Sequence, residues 1–191
     1  MAEKSNRRLC RQGMYSKIII ILLVASVYPV FADYEDDKPR FKHDPLYCID
    51  ARGVNEKKVN VFVNALQEWQ DELPDDFYKL NYVLVTKHFK YAQCDVIVHF
   101  KDTFSSTGHT YIVVSTLSGR YSITITLSVL EYCQMYDNCL AELNTISQHE
   151  IGHTLGLIHD DVPLSIMQKY VQNAIVITKK NVQDVIEFYD K

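Results

Sequence analysis

The chain has 191 residues and a formal charge of −4, with 47% hydrophobic residues, 23% charged residues and five cysteines. The acidic balance argues against nucleic acid as a partner. Internal repeats, a linker to a second domain and Asn-x-Ser/Thr glycosylation acceptors are all absent.

In chain order, Lys4, Arg7, Arg8, Arg11 and Lys17 precede an apolar run from Ile18 to Val24 that continues to Val30-Phe31-Ala32. This pattern predicts a secretory signal peptide over residues 1–32, with Asp33 as the mature start. The dense apolar part is shorter than the roughly 20 residues a spanning helix needs, and no later segment is apolar enough to cross a bilayer. If the segment is retained, it is an N-terminal membrane anchor, the chain's one route to a membrane. Met14 is an alternative start that leaves Lys17 in a shorter basic region.

Cleavage leaves 159 residues, enough for one domain, 33–191, with 15 basic and 23 acidic side chains. Cys10 falls in the presequence, so Cys48, Cys94, Cys133 and Cys139 remain. An even count in an exported chain predicts two disulfides, for which three pairings exist. Cys133 with Cys139 is the local choice, clipping the loop 134–138, and Cys48 with Cys94 would tie the first strand to a central one. A thiolate of Cys48 masking a metal is a further alternative.

Asp33 to His43 reads as a polar end, with an acidic cluster of Asp33, Glu35, Asp36 and Asp37 that has no calcium-loop pattern. Leu46–Ile49 reads as a strand. From Asn55 to Leu73, Val59, Phe62, Val63, Leu66, Trp69 and Leu73 recur at helical spacing before Pro74, so a helix packs on a sheet through Trp69. Val-, Ile-, Tyr- and Thr-rich strands follow at Tyr82–Val85, Asp95–Phe100, Thr110–Ser115 and Ser122–Leu127. A second helix is expected from Ala141 to Gly156. Thr178 caps a third, with Val182, Val185, Ile186 and Tyr189 as its apolar stripe. His43, His88, His99 and His109 are scattered and do not form a second metal motif.

The chemistry lies in His149-Glu150-Ile151-Gly152-His153-Thr154-Leu155-Gly156-Leu157-Ile158-His159-Asp160. Four residues apart on a helix, His149 and His153 sit on one face and reach a single ion. Glu150, one step round, can hold a water as general base without taking a coordination position. Gly156 can stop the helix in a left-handed conformation, so that His159 returns as third ligand. Three histidines and an open position describe one catalytic Zn2+, which lowers the pKa of a bound water to about 7. Asp160 is either a brace for the turn or a solvated acid.

His-Glu-x-x-His-x-x-Gly-x-x-His followed by Met167, eight residues beyond His159 in Pro163-Leu164-Ser165-Ile166-Met167, resembles the metzincin metallopeptidases, specifically their matrixin branch. Gln168, Lys169 and Tyr170 stand where matrixins carry a proline and, further on, a tyrosine. The resemblance implies an α+β, zincin-like catalytic domain with a twisted five-stranded mixed sheet, an active-site helix and a C-terminal helix. It also implies a methionine floor at Met167 that does not ligate the metal. An edge strand, Gly108 to Val114, would align an extended substrate, and residues 164–174 would shape its side-chain pocket.

The expected protein is therefore an exported, monomeric zinc-dependent endopeptidase acting on protein or peptide substrates, with a zinc-activated water and Glu150 as base. The alternative is a catalytically silent metzincin-fold binding protein at the cell surface.

Overall fold

A computed structural model of the protein describes residues 40–103, 107–114, 121–130, 137–169 and 176–190. The expected presequence, Met14, Asp33, Cys133 and Tyr170 lie outside the described residues. Five strands, β1 (Leu46–Asp50), β2 (Asn81–Val85), β3 (Val96–Thr103), β4 (Thr107–Val114) and β5 (Tyr121–Leu130), form one sheet of order β2-β1-β3-β5-β4. Neighbours pair in parallel except β4, which runs antiparallel to β5 at the sheet edge. Among the described residues, three α-helices, α1 (Glu56–Glu72), α2 (Asp137–Thr154) and α3 (Lys179–Tyr189), accompany the sheet.

Strand alternation sorts the sheet into two faces. Tyr47 and Ile49 of β1, Val96 and Val98 of β3, and Ile123, Ile125 and Leu127 of β5 are buried on one face. They share a core with Val59, Phe62, Ala65 and Leu66 of α1, with Leu143, Ile146 and Ile151 of α2, and with Leu155 just past the end of α2. Cys48 faces the other way and is bonded to Cys94, just ahead of β3, with a Cα–Cα distance of 5.8 Å. This removes the thiolate alternative for Cys48. Cys139 is also disulfide-bonded.

The ends of the helices have local causes. Asn55 caps α1 by accepting from the Lys57 N–H at 2.9 Å. Thr178 and Asn181 form a reciprocal capping box on α3. Two differences from expectation matter for the site. The second helix starts at Asp137, not Ala141, so Cys139 lies inside its first turn. Trp69 is fully buried, but its indole N–H donates to the Gln148 carbonyl at 2.8 Å, so the polar edge that a buried tryptophan must satisfy is turned to α2.

Candidate metal centre

His149 and His153 lie one turn apart on α2 with their rings edge to face, and each Nδ1–H donates to a carbonyl. His149 donates to Ile166 O at 2.7 Å and His153 to Leu157 O at 2.9 Å. A carbonyl can only accept, so the proton is on Nδ1 and each Nε2 carries a lone pair. The two Nε2 atoms are 3.1 Å apart, and His159 Nε2 is 3.3 Å from that of His149. His149 is buried, His153 half-buried and His159 exposed, so the cluster opens to solvent on one side.

Burial lowers the His149 pKa, and burial followed by the neighbouring His149 lowers that of His153 to about 3. Neutral imidazoles in this tautomer meet lone pair to lone pair, an arrangement that fits a cation. Tetrahedral zinc with Zn–N of about 2.0–2.1 Å would set neighbouring nitrogens about 3.3–3.4 Å apart, close to the spacings here.

The chain reaches His159 through Gly156, whose φ is +92°. A Cβ there would also lie 2.2 Å from Phe188 Cε1 of α3, so both backbone and packing require glycine. Beneath the helix, Met167 is 1% exposed. Its Sδ occupies the space beside Gly152, where a Cβ would come within 2.5 Å of it.

Asp160 braces this turn. Its carboxylate accepts from Ser165 Oγ at 2.8 Å, Val162 N at 3.2 Å and Asn181 Nδ2 at 3.4 Å, while its own N–H donates to Met167 O at 2.9 Å. Ser165 Oγ in turn accepts from Met167 N at 3.1 Å.

Glu150 is 4% exposed, and burial pushes its carboxyl up to about 7 against the opposing hydrogen bond from Thr110. Thr110 Oγ1, on the edge strand, donates to Glu150 Oε2 at 2.5 Å. Gly108, two residues earlier and on the same face of β4, lies directly against the same side chain. Thr110, Gly108, Ser165 and Asn181 have no signal in the histidine motif. Only Gly108 carries a hint, since glycine inside a strand pattern often marks a close approach.

A histidine centre hung from one helix below the antiparallel edge of a mixed sheet, with a methionine turn as its floor, is the arrangement of a metzincin peptidase domain. The family model for matrixins matches residues 46–190. The chain belongs to the matrixins, a family of zinc-dependent metallopeptidases. No curated protein matches it in sequence.

Among the described residues, His149, His153 and His159 are the group that could hold a metal. His43 lies 3.6 Å from Asp95, and His99 lies 3.5 Å from Asp50.

Proposed function

We propose that the protein is an exported zinc endopeptidase, with residues 1–32 as signal segment and 33–191 as the peptidase domain. The observation that supports it most is the convergence of three imidazoles, with ligand atoms all within 4.8 Å of one another, on and just after a helix whose Glu150, next in sequence to His149, is buried. Zinc bound by those nitrogens would supply a Lewis acid that polarises a carbonyl and acidifies water.

The chain's own residues account for the rest. Ile166 O and Leu157 O fix two of the imidazoles in the ligating tautomer. An extended peptide pairs with the open edge of β4, which sets its scissile carbonyl against the histidine cluster. Glu150 takes the proton of the attacking water and delivers it to the leaving amine.

The test is hydrolysis of casein by the zinc-loaded protein, beside Glu150→Ala and a chelated sample. Cleavage by the wild type alone is expected. A folded protein carrying one zinc per chain that leaves casein intact would overturn the endopeptidase reading in favour of a binding protein.

A further inference from the structure

Edge strand β4 does more at this site than end the sheet. Gly108 and Thr110 alternate with His109, so both turn toward α2 and the Glu150 side chain lies against them. A Cβ on Gly108 would be 2.4 Å from Glu150 Oε1 and 2.6 Å from its Cγ, so the carboxylate rests where any other residue would put its side chain. Thr110 Oγ1 then reaches Oε2 of the same carboxylate at 2.5 Å. We propose that Thr110 is a positioning residue for Glu150, with Gly108 as the recess that admits the carboxylate. This rests on the reading of Glu150 as general base.

The hydroxyl has two acceptors within reach. Besides Oε2, the Glu150 main-chain carbonyl lies 3.2 Å from Thr110 Oγ1. A hydroxyl proton rotates at little cost. Either bond ties the edge strand to Glu150, and the bond to Oε2 holds the carboxylate against the Gly108 recess. A base misplaced by a fraction of an ångström loses rate without losing substrate affinity.

The test uses the zinc-loaded protein as wild type, Thr110→Val, Thr110→Ser and Glu150→Gln. Casein hydrolysis gives kcat and KM, and 13C-glutamate labelling gives the Glu150 carboxyl resonance, identified by its loss in Glu150→Gln. Thr110→Val keeps the side-chain shape and removes the donor. It should lower kcat roughly ten-fold, the size of one hydrogen bond to a charged group. KM should stay within about two-fold and zinc content should be unchanged.

The Glu150 resonance should move in Thr110→Val and stay at its wild-type position in Thr110→Ser, which should also recover kcat. An unmoved resonance in Thr110→Val, or a loss of kcat that serine does not recover, overturns the proposal. Full turnover by Glu150→Gln would instead defeat the peptidase mechanism, and the resonance would still decide whether Thr110 holds the carboxylate.

Discussion

Met167 Sδ sits where a side chain on Gly152 would begin, since a Cβ at that position would lie 2.5 Å from it and 3.2 Å from Trp69 Cζ2. Gly152 falls between the two histidines of α2, so the methionine turn and the tryptophan of α1 close on the helix at the level of His149 and His153.

Gly152→Ala should therefore cost more than its better helix propensity returns. Met167 is an adaptable side chain but is enclosed, and overpacking of this kind costs about 1–3 kcal/mol. A lower urea midpoint with an unchanged m-value is expected, together with weaker zinc binding because His149 and His153 flank the displaced turn. An unchanged midpoint would mean that the floor yields freely.

Metal removal should destabilise the fold. Zinc that binds the folded chain and not the unfolded one adds about 2.7 kcal/mol at a hundred-fold excess over Kd. For a chain of this size that is roughly 5–10 °C in Tm. Thermal unfolding with zinc and with a chelator should differ by that order, and His153→Ala should abolish the difference. A zinc-independent Tm in the wild type would count against the histidine centre.

The parts of this arrangement that were legible in the sequence are the local ones. The α1 stripe repeats at helical spacing, and the burial of Val59, Phe62, Leu66 and Trp69 follows from it. The three histidines announce themselves because their spacing is set within one helix and one turn. Thr110 does not, because it meets Glu150 across 40 residues of chain and a threonine in a strand is ordinary. The early start of β4 at Thr107 has the same cause. Glycine at 108 weakens a strand pattern, yet it stands there because Glu150 occupies the space of its missing side chain.

Acid should remove one contribution at the sheet. The Arg52 side chain donates to Asp50 through Nε at 2.7 Å and Nη2 at 2.6 Å, and the Tyr91 hydroxyl adds a bond at 3.1 Å. The guanidinium holds the Asp50 carboxyl well below the ordinary carboxylate range, against a partial opposing effect of burial. A depressed folded pKa means that the contribution is complete above the unfolded value near 4 and is lost as the pH falls below it. Asp50→Asn should lower Tm by at most a few degrees at pH 7, since the pair is partly exposed, and the gap should close in acid. A gap that widens as the pH falls would contradict this sign.

The strongest coupling should lie between Asp160 and Asn181. Asn181 is fully buried, with Nδ2 donating to Ser165 Oγ at 2.9 Å and Oδ1 accepting from Thr178 N at 2.9 Å. One side chain thus caps α3 and ties it to the turn that Asp160 braces. Asn181→Ala removes the cap and leaves buried polar atoms unpaired, a combined cost of about 2–4 kcal/mol. Asn181→Asp keeps the acceptor for Thr178 but brings a second carboxylate to within reach of the Asp160 oxygen that the amide contacts at 3.4 Å. It should be less stable at neutral pH than at pH 4, where protonation relieves the repulsion. Adding Asp160→Asn should recover part of the loss at neutral pH and little in acid. Urea midpoints of both single variants and the double variant at the two pH values measure this directly, and additive losses at neutral pH would show that the two side chains act independently.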